Sequence, residues 1–108
     1  MVVAAALLLA AGPATANFSK AFDLYNAGKF EKARNLAQPD AHRGNPAAQW
    51  LVGTMYLLGE GIEANPVAAR VWLAKSAASN YPPAQAVLGL MYEQGIAAAA
   101  ATDGASAG

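Results

Sequence analysis

Hydrophobic positions recur along this chain at helical spacing. Between Pro46 and Leu58, the residues Ala48, Leu51, Val52 and Met55 fall on one face at about 100° per residue, with Tyr56 at its border. This is the i, i+3, i+4, i+7 pattern of an amphipathic helix. Gly53 lies toward the opposite edge, where a missing side chain lets a neighbouring helix come close. Gly59 is placed to end the helix in a left-handed cap. Glu60-Gly61-Ile62-Glu63-Ala64 then reads as a loop, and Asn65-Pro66 as an N-cap followed by proline at the first helical position. The next helix carries Val67, Ala69, Val71, Trp72, Ala74 and Ala77 as its apolar positions, and Asn80 follows as a residue that tolerates a left-handed turn. No run alternates with period two, so the pattern predicts helices and no strands.

The segment from Pro46 to Ile62 is written a second time from Pro82 to Ile96. Ala48/Ala84, Gln49/Gln85, Gly53/Gly89, Met55/Met91, Tyr56/Tyr92 and Gly59/Gly95 are each separated by 36 positions. A period in the range of about 20–50 residues is the signature of stacked supersecondary units. One period before Ala69, Trp72 and Ala77 stand Ala33, Leu36 and Ala41, so an earlier unit exists. Its turn, Gly28 to Ala33, is shorter than Gly59 to Ala69, and Pro39 sits where Lys75 does. Proline lacks the amide hydrogen and clashes with the preceding turn, so Pro39 is expected to kink or end that helix. After Gly95 come Ile96 and five alanines, with no tryptophan to match Trp72.

The fold expected is all-α: a short α-solenoid of antiparallel helix-turn-helix units, with about five helices at 18–27, 30–38, 46–58, 66–79 and 83–94. The organisation reads as a leader at 1–16, a degenerate tetratricopeptide-like hairpin at 17–45, a full repeat at 46–81, a partial one at 82–96 and a low-complexity tail at 97–108.

The pattern Ala48-x-x-x-x-Gly53-x-x-Tyr56-x-x-Gly59, followed by Ala69-x-x-Trp72-x-x-Lys75-x-Ala77, resembles the Sel1-like repeat, a helix-turn-helix relative of the tetratricopeptide family. The likeness runs from Phe18 to Ile96 and is sharp from Gly44 to Gly95. Asn80 departs from the glycine usual there. The resemblance implies a non-enzymatic adaptor that binds a protein or peptide, in complex assembly or signalling, including bacterial envelope and exopolysaccharide processes. It also implies that Tyr56, Tyr92 and Trp72 are structural, with Trp72 plugging the space between helices. The rival readings are a truncated or non-functional repeat fragment and an accessory to an envelope enzyme or polysaccharide system.

Charge narrows the partner. Seven basic and seven acidic side chains cancel over 108 residues, which leaves no electrostatic footprint for nucleic acid or an anionic membrane. Recognition is therefore expected to be apolar and hydrogen-bonded. The start of the chain adds a location: an apolar run from Val2 to Ala11, then Gly12-Pro13 and Ala14-Thr15-Ala16, is the pattern of a secretory signal peptide, too short to span a bilayer. No Lys or Arg precedes Lys20, so its basic region is missing. Export to the periplasm or the medium is expected, with Asn17 as the first mature residue. There is no cysteine, which removes disulfides, thiolate metal sites and thiol nucleophiles. It also sets the chain apart from the cysteine-rich branch of Sel1-like proteins, to which a β-lactam-related activity has been attached.

Candidate chemistry is sparse. His42 is the only histidine and reads as a solvated residue near a helix end. Glu60 and Glu63 read as solvated loop charges, because Ile62 and Ala64 interrupt any series of calcium ligands. Ser19, Ser76, Ser79 and Ser106 have no base and orienting carboxylate in pattern, and Gly59-Glu60-Gly61 follows no strand, so it is no nucleotide loop. No catalytic, cofactor-binding or metal residues are assigned. Trp50, Thr54 and Leu57 are the candidate partner-binding residues. They lie opposite the Ala48/Val52/Met55 stripe, where they either bury against Phe22, Leu24 or Tyr25 or form a groove anchored by the tryptophan. Val87, Leu88, Met91 and Tyr92 on the last helix are the positions expected to be left uncovered, and self-association is expected there.

Overall fold

The computed structural model describes residues 17–96. The expected leader at 1–16 and tail at 97–108 lie outside the described residues. Five helices follow one another: α1, whose described part is 17–26, α2 (Phe30–His42), α3 (Pro46–Leu58), α4 (Pro66–Ala78) and α5 (Pro82–Gln94). No strand occurs among the described residues.

Local chemistry sets most of the boundaries. Asn45 Oδ1 accepts from the backbone N–H groups of Ala47 and Ala48 at 2.9 and 3.3 Å, which satisfies two donors that the first turn of α3 leaves open. Asn65 Oδ1 does the same for Ala68 at 3.1 Å at the head of α4. Gly59 and Gly95 end α3 and α5 at φ +70°. Asn80, at φ +60°, makes the turn after α4 without glycine.

Pro39 does not end its helix. α2 runs through it to His42, because the residues after it are held from the far side: Asp40 and Ala41 are both 1% exposed, and the Gln49 amide of α3 donates to the Ala41 carbonyl at 3.1 Å. The hydrogen bond that proline forfeits falls on the exposed side of α2, where the cost is lowest.

Two clusters form the interior. Ala21, Ala33, Ala37 and Ala41 from α1 and α2 meet Ala48, Leu51, Val52 and Met55 of α3, and alanine on one wall lets the helices approach closely. Ala69 and Leu73 of α4 meet Ala84 and Met91 of α5 in the second cluster. α3 packs most extensively on α4 and next on α2, so it is the shared middle layer.

The inward face of α4 differs from the expected one. Val67 and Val71 are each 43% exposed, whereas Ala69, Leu73 and Ser76, spaced i, i+4, i+7, are fully buried. Serine is tolerated there because its hydroxyl donates to the Pro46 carbonyl at 2.6 Å. Trp72 is only half-buried, and its neighbour Leu73 fills the space between the helices. On α5, Met91 is buried and Val87 and Leu88 pack partly against the second cluster. Of the four positions expected to be uncovered, Tyr92 is more than half exposed, and Leu90, which was not among them, is open with it. Among the described residues α5 packs chiefly on α4, which leaves these side chains open.

Candidate functional site

Trp50 sits where three helices converge. Its ring lies 6.5 Å from Phe18 and 5.9 Å from Phe22 on α1, and 6.1 Å from Tyr81 at the head of α5. Phe18 and Phe22 stack on each other at 5.7 Å, and Phe22 stacks on Tyr25 at 6.3 Å. Tyr81 caps α5 without a side-chain hydrogen bond, because its ring is committed to Trp50, and burial raises its phenol above the ordinary value. Trp50 nevertheless remains half-buried rather than enclosed. Burial against Phe22 and exposure to an open face therefore coexist in one side chain.

Thr54 and Leu57 are also half-buried. Thr54 Oγ1 is enclosed without a hydrogen-bond partner among the described residues, and Leu57 packs on the Leu73 and Met91 cluster. The sequence reasoning missed the most open member, Leu58, which is 58% exposed. It lies one turn after Thr54 and two after Trp50, a spacing that was available as a signal. Leu90, 53% exposed, stands one period after Thr54. The exposed apolar side chains on these two helices are thus Leu58 on α3 and Leu90 and Tyr92 on α5, and Trp50 is half-buried against the aromatic rings of α1.

Glu60 is not a solvated loop charge. The Tyr25 hydroxyl donates to its Oε1 at 2.6 Å, tying α1 to the loop between α3 and α4. Burial, and then the hydrogen bond and charge of Glu60, push the Tyr25 phenol up to about 12. His42 is exposed, as expected, but its ring meets the Trp72 edge at 5.1 Å, while Lys75 Nζ lies 4.9 Å from the centre of the same ring. Asp40 is buried and paired through Oδ1 with Arg43 at 2.8 Å.

An open depression of about 470 Å³ lies at the start of α2, lined by Gly28, Lys29, Phe30, Glu31, Lys32 and Gly61. Gly61 is pressed against that helix: a Cβ there would stand 2.7 Å from Phe30 Cβ and 2.8 Å from the Glu31 nitrogen. None of Trp50, Thr54 and Leu57 lines this depression. No group of three or more His, Cys, Asp or Glu residues among the described ones could hold a metal ion, and no described helix is long and apolar enough to cross a membrane.

Comparison with known proteins agrees with this architecture. The Sel1 repeat model matches residues 4–28, 46–81 and 82–103. The second match coincides with α3, α4 and their turns, and the third begins with α5. The first runs over part of the segment expected to be a leader and stops at Gly28, at the end of the Tyr25-x-x-Gly28 motif. No curated protein and no solved structure matches the chain. With the 36-residue period, the paired helices and the family match together, the chain belongs to the Sel1 repeat family, whose repeats are generally protein–protein interaction modules.

Proposed function

We propose that this chain is an exported, non-enzymatic binding module that captures an apolar segment of another protein on the face carrying Trp50, Leu58 and Leu90. The observation that carries the reading is Trp50, an aromatic anchor held in place by Phe18, Phe22 and Tyr81 yet not fully buried, beside the exposed Leu58 on the same helix. A tryptophan already immobilised costs little further entropy when a partner covers it, and such residues dominate binding energy. The absence of net charge supports recognition by burial rather than by steering. Ser76, the one fully buried serine among the described residues, commits its hydroxyl to the Pro46 carbonyl.

Selection of a random peptide library against the full chain tests the site. Enriched peptides should be apolar, and Leu58→Glu should weaken them by about tenfold or more while the melting temperature stays that of the parent. Peptides that bind Leu58→Glu and Leu90→Glu as tightly as the parent would place recognition elsewhere. Export rests on the run Val2–Ala11 and the Ala14-Thr15-Ala16 pattern. Terminal sequencing of the product from a bacterial envelope fraction should begin at Asn17; retention of Met1 in the cytoplasm would remove export from the proposal.

A further inference from the structure

The zero net charge conceals an uneven distribution between two sets of helices. All seven Lys and Arg residues lie within 17–96, and six of them, Lys29, Lys32, Arg34, Arg43, Arg70 and Lys75, belong to α2 and α4 or to the caps of α2. The helices α1, α3 and α5, whose side chains build the Trp50 face, hold three charged residues between them: Lys20, Asp23 and Glu93. Register decides which of these reach that face. With Tyr25-x-x-Gly28 set on Tyr56-x-x-Gly59, Asp23 matches Thr54, and it directly follows Phe22, whose ring lies 5.9 Å from Trp50. Glu93 stands one 36-residue period after Leu57. Lys20 matches Leu51 instead, which packs on the α1 and α2 side of α3, so the repeat turns Lys20 away from α3. Asp23 and Glu93 are both exposed, and the one ion pair among the described residues joins Arg43 to Asp40, so neither carboxylate is paired. The uncharged face of α3 is thus bracketed by a carboxylate on each neighbouring helix.

We infer that this face takes an apolar segment carrying a lysine or arginine on each side; the inference rests on the binding face proposed above and names the chemistry of its partner. Burial at Trp50 and Leu58 supplies the affinity. The flanking carboxylates select among apolar segments, because opposite charges at a rim hold register and like charges repel. Helix spacing sets the distance between the two basic residues. Two interhelix steps of about 8–10 Å separate α1 from α5, and an extended chain at about 3.3 Å per residue crosses them in roughly five or six residues. The positive charges gathered on α2 and α4 repel the same segment, so it has one side of the molecule to land on.

Two seven-residue peptides with blocked ends serve as probes, both apolar in the middle, one with lysine at each end and the other with glutamate. Against the full chain at about 0.05 M salt, the lysine-ended peptide should bind about tenfold or more tightly than the other. That ratio should collapse toward one near about 1 M salt, where charges act over only about 3 Å. Asp23→Asn combined with Glu93→Gln should abolish the ratio and leave the melting temperature that of the parent, since both side chains are exposed and unpaired. Leu58→Ser, which adds no charge, should weaken both peptides. Equal binding of the two peptides to the parent, still weakened by Leu58→Ser, would overturn the inference and leave the binding face standing. Tighter binding of the glutamate-ended peptide would overturn it as well, as would library peptides enriched without basic residues at this spacing. Binding that Leu58→Ser leaves untouched would remove the face, and the inference with it.

Discussion

α3 and α5 carry the same motif one period apart, yet among the described residues α3 packs between α2 and α4 whereas α5 packs chiefly on α4. Ala48, Leu51, Val52 and Met55 on α3 are all fully buried; of their counterparts on α5, Ala84 and Met91 are buried, while Val87 and Leu88 are only half-buried. Gln49 and Gln85 each donate to the carbonyl eight residues earlier, at 3.1 and 3.3 Å, but the first bond is buried and the second exposed. The two helices share local geometry and differ in how many neighbours they have. The composition changes as well: Ala86 stands one period after Trp50 and Glu93 one period after Leu57. Among the described residues the outer side of α5 is thus more polar than that of α3, with Leu90 and Tyr92 as its open apolar side chains.

Core truncation should give the largest contrast. Leu51→Ala removes a fully buried side chain and is expected to cost about 2–5 kcal/mol, with Val87→Ala nearer about 1 kcal/mol because its site is already half open. Chemical denaturation of the two variants measures the difference, and equal losses would mean that α5 is covered as fully as α3. Next come the paired glycines, for which the sign itself should reverse. Gly53→Ala forces Leu73 and Trp72 to move and should destabilise by about 1–3 kcal/mol, whereas Gly89→Ala should stabilise by up to about 1 kcal/mol. Thermal melts that shift in the same direction would erase the distinction between the two glycines.

A smaller effect is expected at the N-caps. Asn45→Ala removes two hydrogen bonds from the head of α3 and should cost about 1 kcal/mol. Tyr81 makes no such bond at the head of α5, so Tyr81→Asn should recover capping while losing contact with Trp50. Tryptophan emission together with denaturation separates the two contributions, and an unchanged emission spectrum would place Trp50 away from Tyr81.

The smallest effect concerns the link from α1 to the α3–α4 loop. Tyr25→Phe should cost about 1 kcal/mol at neutral pH through loss of the bond to Glu60. The folded chain holds the phenol proton more tightly than the unfolded one, raising its pKa from 10.0 to about 12. The contribution of this link is therefore fully present below pH 10 and fades as pH climbs toward 12. Melting temperatures across that window should fall more steeply for the parent than for Tyr25→Phe, and parallel curves would show that Tyr25 is not responsible.

Much of the architecture was legible in the order of residues. The spacing of Ala48, Leu51, Val52 and Met55, the caps at Asn65, Gly59 and Asn80, and the close approach at Gly53 are local or periodic features, and the repeat writes Ala48, Met55 and Gly59 again as Ala84, Met91 and Gly95. Trp50, Thr54 and Leu57 could likewise be placed on one side of α3 by spacing alone. Partner-dependent features could not be read this way. Whether Pro39 stops a helix depends on what holds Asp40 and Ala41 in place from outside α2. Val71 is as apolar as Leu73, and only the position of α4 between α3 and α5 decides that Leu73 turns inward. Leu58 and Leu90 stay open because of which helix lies beside them, and Glu60 gains its partner from a tyrosine 35 residues away. The sequence by itself determined the helices, their caps and their period, since those follow from backbone and side-chain chemistry within a few residues. Tertiary structure decided which faces of α4 and α5 turn inward, because burial there belongs to pairs of helices and not to the spacing within one.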